Sequence, residues 1–135
     1  GVNAINLDLD QAGLLIGHPT GGTLGATLGT IVAKRVHLIH PAGLEKSIPG
    51  DLDNAAFLQK EKDGKGPTLW VSPGRIFSEL DALAVLCNVQ AIPVAAGGVG
   101  GAEGAVWLML KGDKTALDQA QKLIEEIHGE PPFLS

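Results

Sequence analysis

Short apolar runs alternate with helical patterns along this chain, and this alternation constrains the fold more than any other feature of the sequence. Four runs suit buried strands, namely "LLIG" (14–17), "VHLIH" (36–40), "TLWVS" (68–72) and "AIPVAA" (91–96). The helical patterns between them cover 22–34, 51–62 and 76–87. Strands that alternate with helices are typical of βαβ units, whose strands lie parallel. We therefore predict an α/β fold with a mostly parallel sheet.

The two ends of the chain add strands to this sheet. "AINLDLD" (4–10) alternates apolar and polar residues, which suits a short edge strand. "GGVGGAEG" (97–104) is too short for a crossover helix. The strand that follows it, "AVWLMLKG" (105–112), is therefore predicted to lie antiparallel to its neighbour.

A last helix is predicted over 113–128, with Asp113 as its cap and Gly129 as its stop. One face of this helix is expected to pack on the sheet, and its residues are Leu117, Ala120, Leu123, Ile124 and Ile127. "KEKDGKG" (60–66) is predicted to be a solvated loop. The whole chain, 1–135, is expected to form one domain with a three-layer α/β/α architecture, four to six strands and an antiparallel last strand.

Composition excludes several classes of protein. The formal net charge is -5 and the Lys and Arg residues are scattered, which argues against a nucleic-acid partner. No run is long enough to span a membrane, and no signal-peptide pattern opens the chain. The single cysteine, Cys87, lies in an apolar stretch and suits a packed thiol in a reducing compartment. We expect a cytoplasmic protein. Because the chain begins without Met, Gly1 is expected to be either a residue left from a tag or the start of a fragment of a longer chain.

Three predicted strands end in one local pattern, an apolar run followed by His or Ser, then Pro, then Gly within two residues. The three stretches are "LLIGHPTGG", "HLIHPAGLE" and "LWVSPGRIF". Because the carboxyl ends of parallel strands meet at one edge of a sheet, we expect His18, His40 and Ser72 at that edge. Ligands of open α/β sheets bind there, so the sequence predicts a binding site at this edge.

The stretch "HPTGGTLGATLG" (18–29) joins a predicted strand to a predicted helix. Backbone N–H groups at such a turn, aided by the helix dipole, can bind a phosphate or carboxylate. The spacing is neither that of a P-loop nor that of a dinucleotide fingerprint. The predicted ligand-binding residues are Thr20, Gly21, Gly22, Thr23, Ser72, Gly74, Arg75, Gly97, Gly98, Gly100 and Gly101.

Two further glycines, Gly25 and Gly29, fall inside the predicted helix, where each costs about 1 kcal/mol relative to Ala. A close approach to the sheet, to another helix or to a second subunit would offset that cost. The last of these possibilities predicts a homo-oligomer.

Acid–base chemistry by a histidine is the simplest reaction that these residues could support, and the candidate catalytic residues are His18, His40 and Glu103. Glu103 is either a buried general base with a raised pKa or the solvated tip of a hairpin. A metal held by the two histidines with Glu45 or Glu103 is an alternative, but the spacing is not that of a metal site. No metal ligand is therefore predicted, and the sequence names no cofactor.

The stretch "AIPVAAGGVGGAEGAVWLML" (91–110) resembles small α/β proteins similar to the C-terminal domain of pyruvate kinase. In that domain an "IP" strand leads through a glycine-rich turn into an antiparallel last strand. The resemblance implies an architecture for this stretch alone. The pyruvate kinase domain binds a regulatory phosphorylated metabolite, but no motif residue carries that role across.

Two functions from different classes fit these observations. The preferred one is a small-molecule-binding α/β domain that holds a phosphate- or carboxylate-bearing metabolite at the carboxyl edge of the sheet, with histidine acid–base chemistry as an option. The alternative is a non-catalytic structural or regulatory subunit that works through self-association. Whether the protein is an enzyme stays open at this point.

Overall fold

The structure is a computed structural model that describes residues 1–60 and 65–131. The chain forms two compact units, Gly1–Ser78 and Glu79–Ser135. Part of the predicted helix 51–62 and most of the predicted loop 60–66 lie outside the described residues. Among the described helices, none combines the length and the apolar character needed to cross a membrane.

In its described residues, the first unit contains two small sheets and two helices. Its elements in chain order are β1 (Ala4–Asn6), β2 (Gln11–Ile16), α1 (Gly22–Ala33), β3 (Ile39–Pro41), a 3₁₀ turn (Leu44–Lys46), α2 (Leu52–Gln59), β4 (Thr68–Ser72) and β5 (Arg75–Phe77). One sheet has the order β1-β2-β4, and both of its pairings are antiparallel. The other consists of β3 and β5, which run parallel.

The predicted edge strand over 4–10 is shorter in the structure because the side chain of Asn6 ends it. The Asn6 Oδ1 accepts hydrogen bonds from the N–H groups of Asp8 and Leu9, each at 3.0 Å. This local bonding replaces strand pairing with a turn. The chain then returns as β2, whose Gln11 pairs with Asn6.

The core of the first unit lies between the antiparallel sheet and the segment that follows β3. Its buried residues are Val2, Ile5, Ala12 and Ala42, with Leu7, Leu14 and Ile76 packed against them. On β2, Gly13 leaves room for the side chains of Leu52 and Leu69, which would lie 3.2 and 3.0 Å from an added Cβ. The glycine thus allows α2 to pack closely on the sheet.

As far as residue 131, the second unit is an antiparallel hairpin with two helices. Its elements are α3 (Glu79–Cys87), β6 (Gln90–Ala96), β7 (Val106–Lys111) and α4 (Lys114–Ile127). Its buried core residues are Leu83, Cys87, Val89, Ala116 and Ala120. The packed thiol of Cys87 and the antiparallel last strand are confirmed.

The last helix was predicted well at its ends and less well along its face. The Asp113 Oδ1 accepts a hydrogen bond from the Ala116 N–H at 2.9 Å, and Gly129 follows the helix at φ 80°. The buried residues of this helix are two small ones, Ala116 and Ala120. Leu117 and Leu123 are partly buried beside them. The prediction that Ile124 and Ile127 pack on the sheet is wrong, since they are 43% and 51% exposed.

The predicted mostly parallel sheet in three layers is wrong. β2 and β4, the counterparts of two predicted parallel strands, pair antiparallel, and β6 pairs antiparallel with β7. The apolar run of β2 suggested a strand buried on both faces, yet Leu15 is 49% exposed, as on the open face of an antiparallel sheet. The predicted helix start at Ile76 is also wrong, because Arg75–Phe77 form β5 and the helix begins at Glu79.

Candidate functional site

Three predicted site residues of the first unit do come together. The Nε2 atom of His40 on β3 lies 2.6 Å from the Oγ atom of Ser72 at the end of β4. The N–H of Gly74 donates to the same Oγ at 3.4 Å. A Cβ on Gly74 would lie 2.5 Å from the His40 Nε2, so only glycine lets the ring reach this position. Arg75 is exposed, and its N–H donates to the Leu38 carbonyl at 2.9 Å.

The electrostatics of this pair favour a neutral imidazole. Burial, and secondarily the positive charge of the chain's amino terminus, lower the pKa of His40 below 6.5. A neutral ring can accept the Ser72 hydroxyl proton at Nε2, which is the geometry of a serine activated by a base. However, Ser72 is only 4% exposed and His40 only 8%. In this conformation a substrate cannot reach the hydroxyl, so the pair serves to hold β3 against the turn between β4 and β5.

The second group of predicted residues forms the turn before α1. The His18 Nδ1 accepts the Thr20 N–H at 3.2 Å and lies 3.0 Å from the Thr20 Oγ1. The Gly21 N–H donates to the His18 carbonyl at 3.0 Å, so that donor is already used. Both Gly21 and Gly22 have positive φ, at 82° and 58°. This conformation, which glycine adopts readily, brings the chain from the turn into the helix.

The first turn of α1 keeps unused donors. No side chain caps the helix, and the first hydrogen bond into it runs from the Gly25 N–H to the Gly21 carbonyl. The N–H groups of Gly22, Thr23 and Leu24 meet no acceptor among residues 1–60 and 65–131. Gly25 itself packs on the turn, since a Cβ there would lie 2.1 Å from the Thr20 carbonyl oxygen. Gly29 has nothing within 4 Å of the corresponding position.

The predicted common edge for His18 and Ser72 is not formed. In the antiparallel pairing of β2 with β4, Ile16 lies opposite Thr68 and Ala12 lies opposite Ser72. His18 therefore follows one end of this strand pair, whereas Ser72 lies at the other end. The direction of β4 separates two residues that a parallel sheet would have brought together.

The glycine-rich loop Gly97–Gly101 belongs to the second unit, where it connects β6 to β7. The Gly97 N–H donates to the Ala105 carbonyl at 2.9 Å, and the Glu103 Oε2 accepts the Gly101 N–H at 3.0 Å. The N–H groups of Glu103 itself and of Gly101 lower the pKa of the exposed Glu103 carboxyl. The pKa of Glu103 is therefore not raised, as it would be for a general base. The ionised carboxylate of Glu103 instead accepts a hydrogen bond within the hairpin loop.

The described residues contain no group of three or more His, Cys, Asp or Glu side chains close enough to hold a metal ion. His40 bonds to Ser72 and His18 to Thr20, so the two rings have different partners. The described residues therefore provide no set of ligands for the alternative metal site.

Sequence reasoning missed an apolar groove of about 520 Å³ in the second unit. It lies between α3, α4 and β7, and its lining residues are Glu79, Ala82, Leu83, Leu86, Val106, Trp107, Leu108, Leu110, Leu123, Ile124 and Ile127. The signal for it was present in β7, where Trp107 and Met109 alternate with Leu108 and Leu110 and make both faces of the strand apolar.

The sequence matches no family model, and no curated protein or solved structure is similar to it. The resemblance of 91–110 to the pyruvate kinase domain therefore stays a prediction.

Proposed function

We propose that this protein is a subunit that works through self-association. The observation that carries the proposal is helix α1, whose twelve residues, "GTLGATLGTIVA", include no charged side chain and none that is buried. Its only polar side chains are those of Thr23, Thr27 and Thr30. A helix without a charged face is normally covered by other parts of a protein. Here Val32 is 65% exposed, and Leu28 and Ile31 are only half-buried. The helix therefore has the composition of a buried element and the exposure of a surface element.

A protein partner explains the exposed apolar residues of α1 better than a membrane does. At about 1.5 Å per residue, twelve residues span roughly 18 Å, well short of the hydrocarbon core of a bilayer at about 30 Å. A helix that lies in the membrane interface carries a strongly charged face, and α1 has none. The open space beside Gly29 allows another helix to approach closely. These features support a homo-oligomer, and the single buried thiol of Cys87 supports placing it in the reducing cytoplasm.

Sedimentation velocity over a wide range of protein concentration tests this proposal. The parent chain should sediment as a multiple of its 13.9 kDa mass. Val32→Glu introduces a charge on α1 and should shift the folded chain toward smaller species. Val99→Glu is the matched control, because Val99 is 89% exposed in the hairpin loop and its change should leave assembly intact. A parent chain that stays monomeric at every concentration would refute the proposal.

A second candidate function is the binding of a small anionic metabolite at the start of α1. It is favoured by the unused N–H groups of Gly22, Thr23 and Leu24, beside which His18 is held by Thr20. Such donors, together with the helix dipole, suit a phosphate or a carboxylate.

Inorganic phosphate is a direct probe of this second candidate. Phosphate should raise the melting temperature of the parent chain and of Thr27→Ala, which keeps every N–H of the first turn. Thr23→Pro removes one donor at a position where a helix tolerates proline, and it should lose most of the phosphate effect. The absence of any phosphate-dependent shift in the parent chain would exclude anion binding here.

A further inference from the structure

The hairpin of the second unit has two edges that differ in their capacity to pair with another strand. On β6, Pro93 has no N–H, and the register shifts between Pro93 and Ala95. Proline and bulges are features that block further pairing at a sheet edge. β7, "VWLMLK", contains neither, and in the part of the chain that the structure describes it pairs with β6 alone. Its outer edge therefore presents free N–H and C=O groups.

We propose that β7 pairs antiparallel with β7 of a second copy of this chain. This inference rests on the proposed self-association and adds β7 to α1 as a second surface through which it occurs. The two hairpins would then form one four-stranded sheet about a twofold axis, and each copy would contribute the same residues to the contact.

Charges at the two ends of β7 select the antiparallel orientation and the second copy as partner. Glu103 precedes the strand and Lys111 ends it, and both are exposed. An antiparallel register centred on Trp107 would place Lys111 of each copy opposite Glu103 of the other, where two ion pairs can form. A parallel arrangement would place like charges side by side, which is unfavourable.

The apolar groove supports the same pairing. The groove is lined by β7 and the two helices, and no residue of β6 lines it. Of its lining residues only Glu79 is charged. Apolar side chains at its rim, including Trp107 at 66% and Ile127 at 51% exposure, are left in water by the isolated chain. Placing two hairpins edge to edge brings the same apolar groups of both copies together and removes them from solvent.

A charge-swap experiment tests this proposal by sedimentation equilibrium on the full chain. Lys111→Glu and Glu103→Lys should each weaken self-association by about fivefold or more, since two symmetry-related ion pairs at roughly 0.5 kcal/mol each are lost. The double variant exchanges the charges and should associate more tightly than either single variant, although it lacks the hydrogen bond from Gly101 to Glu103. Lys65→Glu, a lysine of the first unit, is the matched control and should have no effect.

The outcomes separate this inference from the proposed function. Restoration in the double variant supports β7 pairing, because a variant damaged in folding would not be rescued by a second change. If the parent assembles and Val32→Glu disrupts it while neither single charge reversal has an effect, the β7 pairing is overturned and self-association stands. If the double variant associates no better than the single ones, the pairing is likewise overturned. A monomeric parent overturns both.

Discussion

The buried pair of His40 and Ser72 depends on a single glycine. The ring of His40 occupies the place where a Cβ on Gly74 would lie, and it reaches the Ser72 hydroxyl at 2.6 Å. No polar side-chain atom that is buried among the described residues lacks a hydrogen-bond partner. The bond thus satisfies two buried polar groups that would otherwise destabilise the unit. It also makes the stability of this unit sensitive to the protonation of His40.

We predict that stability falls as the pH drops below 6.5. Burial lowers the pKa of His40 in the folded state, so between the folded and unfolded values the unfolded chain binds more protons. The contribution of neutral His40 is therefore present above pH 6.5 and is lost as the pH falls through its folded pKa. Urea unfolding of the parent chain on both sides of pH 6.5 measures this loss.

The matched pair for that measurement is His40→Gln against His37→Gln, since His37 is exposed. His40→Gln should remove the pH dependence in this range, whereas His37→Gln should retain it. Asp51 and Glu103, whose pKa values are lowered from 3.8 and 4.5, titrate at lower pH and do not interfere. An identical pH dependence in both variants would contradict the assignment to His40.

The helices α1 and α4 differ in how their sequences stabilise them. α4 has a side-chain cap at Asp113 and exposed ion pairs from Lys114 to Asp118 and from Lys122 to Glu126. α1 has no side-chain cap and no charge, and it contains two glycines beyond its first residue. The stability of α4 thus comes largely from its own residues and from the small side chains that it buries. That of α1 requires contacts outside the helix.

Removal of the α4 cap should have a measurable cost. Asp113→Ala leaves the Ala116 N–H without its acceptor, and we expect a loss of about 1 kcal/mol in the free energy of unfolding. Asp118→Ala breaks an exposed ion pair with Lys114 and should cost less than about 0.5 kcal/mol. Denaturant titration measures both values, and equal losses would show that the cap makes no special contribution.

On the scale of the whole molecule, the uncovered apolar surface occurs in both compact units. Large apolar side chains that are at least half exposed include Val32 and Phe57 in the first unit, and Val85 and Trp107 in the second. Association that buries such surface stabilises the folded chain by mass action.

The melting temperature should therefore rise with protein concentration. This follows because only the folded chain forms the oligomer, so a higher concentration shifts the equilibrium away from the unfolded state. Differential scanning calorimetry of dilute and concentrated samples measures the effect. Val32→Glu should show a smaller concentration dependence than the parent chain, and Val99→Glu should behave like the parent chain. A melting temperature independent of concentration in the parent would argue against association.

Features that depend on neighbouring residues were predictable from the sequence. The strand β4 and the helix α1 were predicted almost to the residue, and Asp113 and Gly129 marked the ends of α4 correctly. Each of these signals acts within a few positions, through a cap, a glycine conformation or an apolar period. The closeness of Ser72 and Gly74 is likewise local, because they are two residues apart.

Tertiary structure alone decided the direction and the pairing of the strands. β2 and β4 lie opposite each other through residues more than fifty positions apart, such as Ile16 and Thr68, and no local signal states whether such a pair is parallel. The predicted common edge for His18 and Ser72 failed for this reason. The three-residue strand β5 was also missed, because it is defined by a backbone ladder with β3 and is too short to show a side-chain pattern of its own. Local propensities fix the elements, whereas strand pairing is chosen by contacts that exist only after the chain has folded.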